Sequence, residues 1–367
     1  MMVLSRRPFK GIDKLLFAVM VLIFLLGILT ISSSTQAKQL TFRDSYVLKQ
    51  LYWVGIGLIF TLFALGISYQ KFIDVSYIIY GVNILLLVLV LIIGHVRLGA
   101  QRWFAIGSFA FQPSEFMKLS LILALANYVG QKKGVMDSFW NFLKAWAFLA
   151  LPFVLVLAQP DLGTGLLLLP IFFSIMFVSG ASIRYMAGAI AIGLAGMPFF
   201  WHMLHYYQRQ RLLVFLDPNI DPLGAGYTII QSKIAVGSGG LMGKGWMAGT
   251  QNQLNFLPER HTDFIFSVIG EEWGFFGSIA LVLLYFLIVK RAFNIAQMTS
   301  DLYGKSIATG IGVMFAAQVV INIGMTIGLM PVVGIPLPLI SYGGSSLLTT
   351  MIAIGLLANV GMRRSMF

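Results

Sequence analysis

The sequence contains no cysteine. That absence excludes a disulfide framework and any thiolate nucleophile. Histidine is nearly as scarce, and His95, His202, His205 and His261 are too scattered to suggest a metal centre. Acidic residues number 13 against 25 lysines and arginines, and charge of both signs makes up only 10% of the chain. A soluble domain of 367 residues has no use for so little charge beside a hydrophobic content of 58%, a balance that fits a polytopic membrane protein. In that setting a net charge of +12 points to anionic lipid head groups or phosphorylated substrates and not to nucleic acid.

What the chain has instead is long apolar runs. Taking runs of about 17 to 25 residues as spans gives ten: 12–32, 48–67, 74–94, 113–131, 140–158, 161–179, 184–204, 263–290, 306–329 and 340–362. The expected fold is therefore all-α, a single polytopic domain over 1–367 with about ten transmembrane helices. An even number of spans puts both termini on one side. Arg6, Arg7, Lys10, Lys14, Lys71, Lys132, Lys133, Arg184, Lys290, Arg291, Lys305, Arg363 and Arg364 then share that side, which the positive-inside rule makes cytoplasmic. Thr35-Gln36-Ala37 faintly resembles a signal-peptidase site, but the first run is long and further spans follow, so it reads as an uncleaved anchor.

The opposite side carries short loops and one long segment, about 205–262, whose length suggests function. Within it, Arg209 and Arg211 sit two apart among aromatics, placed to grip either a substrate phosphate or lipid phosphates in general. The stretch from Gly237 to Trp246 looks like a phosphate cradle but has neither P-loop spacing nor a preceding strand. It is either a backbone that approaches a ligand, with Lys233 and Lys244 supplying charge, or a plain turn. At the end of the segment Glu259, Arg260, His261 and Asp263 fall within five residues at the mouth of an apolar run. A carboxylate there faces a helix N-terminus and half-dry surroundings, as a catalytic group, a helix cap or an interfacial ion pair.

Two spans open on charge. Pro113-Ser114-Glu115 is followed by Lys118 on the same helix face, and Gln159-Pro160-Asp161 repeats the pattern at similar depth. A buried Lys118 flanked by Glu115 and Asp161 would hold two helices in register and shape a cavity. Pro331, Pro336 and Pro338 interrupt an apolar stretch, so a non-helical, re-entrant element lining the outer cavity is expected. Ser341 to Ser346, and the pairs Gly270/Gly274 and Gly324/Gly328, read as close helix packing.

Several stretches together carry a family resemblance: Ala100-Gln101-Arg102-Trp103, Gln112-Pro113-Ser114-Glu115, Ala158 to Thr164, Tyr207-Gln208-Arg209-Gln210-Arg211, Leu257 to Phe266, and Asn322 through Gly328, Pro331 and Gly334 to Ser345. In this order, along nearly the whole chain, they resemble the SEDS family (shape, elongation, division and sporulation proteins). Arg260 before His261, with Asp221 to Tyr227 and Ile230 to Ala235, is similar to its elongation branch.

The resemblance implies a peptidoglycan glycosyltransferase that polymerises lipid II on the outer face of the bacterial cytoplasmic membrane, beside a class B penicillin-binding protein. It also implies that Asp263 is the essential acid. Arg209, Arg211, Lys233, Lys244 and Arg260, and a divalent cation such as Mg2+ or Mn2+, are then candidates to stabilise the departing diphosphate. Glu259 would ligate such a cation or pair with Arg260, the pairing being slightly preferred. Two other classes of function compete: a lipid-linked sugar transporter coupled through Glu115, Lys118 and Asp161, and a non-catalytic scaffold for the transpeptidase. A transporter would show inverted repeats with paired broken helices, and the sequence has one broken segment without a matching half.

Overall fold

The computed structural model describes residues 13–36, 45–97, 100–106, 109–132, 136–204 and 206–363. Arg6, Arg7, Lys10, Ala37, Lys133, His205 and Arg364 lie outside the described residues. The chain runs through α1 (Lys14–Thr35), α2 (Tyr46–Gly66), the short α3 (Tyr69–Asp74) and α4 (Ser76–Ile93). Strands β1 (His95–Arg97), β2 (Ala100–Ile106) and β3 (Phe109–Phe111) follow, then α5 (Pro113–Gln131), α6 (Phe139–Ala158), α7 (Leu162–Val178) and α8 (Ile183–Met203). The long segment folds as α9 (Tyr206–Leu216), α10 (Ala225–Ser238) and α11 (Thr250–Gln253). The chain ends with α12 (Ile265–Met298), α13 (Leu302–Thr326) and α14 (Gly344–Arg363).

Each of the ten expected spans has a helix on it. Eight of these helices are long and apolar enough to cross a membrane by length and composition, which makes this a multi-pass membrane protein. The other two are α7, with 17 residues, and α5. Helix α5 carries Ser114, Glu115, Lys118, Ser120 and Asn127, yet all five are buried, because other helices and not lipid surround it. A helix enclosed in this way has little need of an apolar surface. Local chemistry sets several of the helix starts: Asp13 Oδ1 accepts from the Leu16 amide at 3.1 Å, Asp161 Oδ1 from Thr164 at 3.2 Å, and Asp301 Oδ2 from Gly304 at 2.8 Å.

The all-helical expectation needs one amendment. Strands β1, β2 and β3 form a three-stranded antiparallel sheet, in that order, between α4 and α5. Strand pairing satisfies this connection's backbone where no helix is available to do so.

The helical backbone breaks at two places. Helix α12 is interrupted at Gly274, whose φ of 65° and ψ of −158° leave the helical region. The Gly-rich loop fills the gap: the amides of Lys244 and Gly245 donate to the carbonyls of Glu271 and Glu272 at 3.0 and 2.9 Å. In return the Phe275 amide donates to the Gly240 carbonyl at 2.9 Å. The glycines from 239 to 245 thus serve as a plug in a broken helix. Gly274 admits that plug, since a Cβ there would lie 2.3 Å from the Gly243 nitrogen. The second break, the proline-rich stretch from Pro331, is non-helical as expected. Its carbonyls are met by side chains: Asn322 Nδ2 donates to Ile335 at 2.7 Å, the Tyr285 hydroxyl to Pro338, and Gln50 Nε2 to Ser341 at 3.2 Å.

Candidate functional site

The turn that carries Asp263 is tied down on both sides. The Glu259 carbonyl accepts from the amides of Thr262 and Phe264 at 3.1 and 3.3 Å, closing a tight turn just before α12. Glu259 itself sits at φ 48°, a left-handed conformation costing about 1–2 kcal/mol for a side-chain-bearing residue. From the other side Ser341 Oγ donates to the Thr262 carbonyl at 2.6 Å, and the Tyr342 amide donates to the His261 carbonyl at 2.9 Å. His261 is packed between the rings of Tyr46 and Tyr342, at 4.6 and 6.0 Å between centroids. The broken segment therefore aims the acid.

Asp263 lines a cavity of about 210 Å³. Its neighbours there are Glu259, Arg211 and Gln208 of α9, Arg102 of β2, and the backbone around Val332, Val333 and Gly334. Arg211 donates to the Val332 carbonyl at 3.3 Å, which fixes α9 against the broken segment. Gly334 is required by its surroundings: its φ is 73°, and a Cβ would lie 3.3 Å from Asp263 Oδ2.

Burial pushes the Asp263 carboxyl up to about 6, and the Glu259 carboxylate adds to the rise. Arg211 and Arg102 pull in the opposite direction, and Asp161 raises it slightly. A carboxylate poised near 6, beside two guanidinium groups and open to a cavity, suits a general base near neutral pH.

The charge network at α5 and α7 differs from the expected triad. Lys118 Nζ pairs with Glu115 Oε2 at 2.8 Å within α5, and Lys118 is fully buried. Asp161 belongs to a separate group. It caps α7, accepts from Thr164 Oγ1, Ser114 Oγ and Gln112 Nε2 at 3.0 Å each, and pairs with Arg102 at 3.3 Å. With its oxygens occupied in this way, Asp161 orients Arg102 toward the cavity. The carboxylate caps α7 and is tied to α5 through Ser114 rather than through Lys118.

The sequence candidates separate in the same manner. Asp263, Glu259 and Arg211 are brought together at the cavity, while Arg209, Lys233, Lys244 and Arg260 are not among its lining residues. Arg209 donates to the His202 carbonyl at 2.6 Å, at the junction of α8 and α9. Lys233 is exposed on α10 with its stem against Gly328. Lys244 Nζ pairs with the buried Glu271 at 2.8 Å. Arg260 is buried and points away from Glu259, donating to the Ser34 carbonyl at 2.6 Å and to Asn255 Oδ1. The expected Glu259–Arg260 pairing gives way to this backbone contact with α1.

Arg102 is the cavity residue without an assigned role in the sequence reading. Its signal was the Ala100-Gln101-Arg102-Trp103 stretch, where Arg102 lies 4.6 Å over the Trp103 ring. Among the described residues no group of three His, Asp or Glu side chains is placed to hold a metal ion. Glu259 and Asp263 are two carboxylates, fewer than a dedicated protein cage for a divalent cation contains.

Residues 13–366 match the FtsW/RodA/SpoVE family, described as cell cycle proteins. The peptidoglycan glycosyltransferase MrdB of Escherichia coli (strain K12) is 46% identical over 289 residues, which is 78% of this chain and 78% of that protein. The peptidoglycan glycosyltransferase RodA of Treponema pallidum (strain Nichols) is 34% identical, with 98% of this chain and 99% of that protein covered. A solved structure described as the structural coordination of polymerization and crosslinking by a peptidoglycan synthase complex superposes with a TM-score of 0.83. It is 35% identical, covering 98% of this chain and all of its counterpart.

Proposed function

The chain belongs to the FtsW/RodA/SpoVE family and is a peptidoglycan glycosyltransferase, and from that premise we propose that it polymerises lipid II with Asp263 as general base. The observation that carries this reading is one carboxylate, pushed up to about 6, in a cavity bounded by two arginines from different elements. The acceptor's C4 hydroxyl attacks the anomeric carbon of the donor and gives its proton to Asp263. The bond from that carbon to the lipid diphosphate breaks, and the diphosphate takes the electron pair. One displacement inverts the centre, so an α-linked donor becomes β-linked glycan.

Arg211 and Arg102, as the arginines lining this cavity, are our first candidates to stabilise charge on the departing diphosphate, ahead of Arg209, Lys233, Lys244 and Arg260. Arg102 is held by Asp161 and Arg211 by the Val332 carbonyl, so neither needs much reorganisation at the moment of reaction. A divalent cation would find only Glu259 and Asp263 as anionic ligands, and no step above is routed through one.

The cavity faces the outer side of the cytoplasmic membrane, because the cations of the opposite ends obey the positive-inside rule. The partner is a class B penicillin-binding protein that cross-links the new glycan, a reading supported by the likeness to a synthase complex of coupled polymerization and crosslinking. The transporter reading now has two broken segments in its favour, but the break in α12 is plugged by the chain's own loop. The test is to reconstitute the chain with and without that partner, supply lipid II, and resolve products by size. Glycan polymer supports the assignment; movement of lipid-linked sugar across vesicles without polymer would make the chain a transporter.

A further inference from the structure

The break in α12 contains two adjacent buried carboxyls, and among the described residues only one of them has a cation. Glu271 pairs with Lys244 and accepts from Thr250 Oγ1 and the Gln251 amide at 3.2 and 3.0 Å. Glu272 is 2% exposed, and among the described residues no lysine, arginine or histidine pairs with it. Two charged residues of this region are already engaged, Glu271 with Lys244 and Arg260 with Ser34 and Asn255. An ionised Glu272 would be an uncompensated buried anion.

Its hydrogen bonds describe another state. Glu272 Oε1 accepts from Ser33 Oγ of α1 and from Asn252 Nδ2 of α11, the latter at 3.1 Å. Asn252 Nδ2 also reaches Ser33 Oγ at 3.2 Å. Asn252 is 1% exposed. The second atoms of the two groups, Glu272 Oε2 and Asn252 Oδ1, are both buried without a partner. Two orphaned acceptors on side chains already joined by one hydrogen bond are satisfied together by a single proton. Placed on Oε2, it lets the acid donate to Asn252 Oδ1 and closes a two-bond ring of carboxylic acid and amide. The Met247 amide also donates to this carboxyl, a contact that by itself favours the charged form.

We infer that Glu272 is an uncharged carboxylic acid paired with the Asn252 carboxamide, and that this pair is the joint positioning the Asp263 turn on α1 and α12. The route is short. The segment leaving α11 is fixed at Ser33 through this pair and at the adjacent Ser34 through Arg260, and then enters the turn that carries Asp263. Glu272 is a positioning residue, since it is absent from the cavity lining.

The inference rests on the glycosyltransferase reading for its kinetic arm only, because its spectroscopic arm needs no activity. Infrared difference spectra of the purified full chain against Glu272→Gln at pH 8, in water and in D2O, should show a protonated carboxyl C=O band lost with the substitution. At that pH Asp263, pushed up only to about 6, is ionised and silent in this window. No such band in the wild type overturns the inference. In polymerisation assays Glu272→Gln, which keeps the two-bond ring as an amide pair, should hold kcat within about threefold of wild type, whereas Glu272→Leu should lose tenfold or more with KM little changed. Loss of kcat in Glu272→Gln equal to that in Glu272→Leu, in folded protein, would mean that the anion is required. Activity that rises with added Na+ or K+ in wild type but not in Glu272→Gln would make the group a cation ligand and also overturn the pairing.

Discussion

The side-chain amide of Asn322 donates to the backbone carbonyl of Asp263 at 3.0 Å, and the same nitrogen donates to the Ile335 carbonyl at 2.7 Å. One side chain from α13 thus fastens the proposed base to the broken segment that lines its cavity. Asn322→Leu leaves both carbonyls unmet, at about 1–3 kcal/mol each. The variant should melt earlier and lose about tenfold to a hundredfold in kcat with KM little changed, because misplacement acts on the chemical step. Thermal unfolding in detergent and steady-state polymerisation measure the two effects.

Gly334 is the second test of placement. Alanine there meets a φ of 73° and sets a methyl group 3.3 Å from Asp263 Oδ2. The expected result is a folded chain, weakened by about 1–2 kcal/mol and at least tenfold slower. Normal kcat would mean that this carboxylate oxygen does not take part.

Arg102 and Arg211 bound the cavity, whereas Lys233 lies outside its lining. Arg102→Ala and Arg211→Ala should each lower kcat/KM by about 10²–10³, the range for removing one donor to transition-state charge. Lys233→Ala should remain within about threefold of wild type. If Lys233 matters as much as the arginines, the diphosphate lies elsewhere.

Lys244 separates stability from catalysis. Lys244→Met strips the buried Glu271 of its cation and should destabilise the fold by about 3–5 kcal/mol. The double variant with Glu271→Gln should recover much of that loss, as a cycle of the two single variants and the pair will report.

The pH dependence has a definite sign. A general base works deprotonated, so with Asp263 near 6 kcat/KM should be flat above that pH and fall about tenfold per unit below it. Stability runs the other way. A carboxyl whose folded value lies above its ordinary 3.8 favours the fold most at low pH, and that advantage is lost as pH rises through about 6. Asp263→Asn should therefore melt later than wild type at pH 7.5, by about 1–3 kcal/mol of added stability.

The sequence made the helices legible because lipid demands long apolar runs, and the runs were there. It also exposed Asp263, a charge at the mouth of such a run, and the stretch from Pro331 to Pro338, where helix is sterically unavailable. Pairings across the chain were not legible. Lys244 meets Glu271 and Arg102 meets Asp161 only after helices have packed, and nothing in local spacing encodes those partners. The Gly-rich loop was ambiguous for a related reason. Its free amides suit a ligand as well as the carbonyls of a broken helix, and the break at Gly274 has no proline to announce it. Arg102 was hidden by its place in a short connection, at the irregularity where the register between β1 and β2 shifts.

The most direct measurement compares wild type with Asp263→Asn in the reconstituted complex, following single-turnover glycan extension alongside binding of lipid II. The asparagine keeps the shape of the side chain and its place beside Gly334 but cannot take a proton. The account predicts that extension falls by about 10²–10⁴-fold, the range for a general base, while lipid II binding changes little. Extension at the wild-type rate by Asp263→Asn would contradict it.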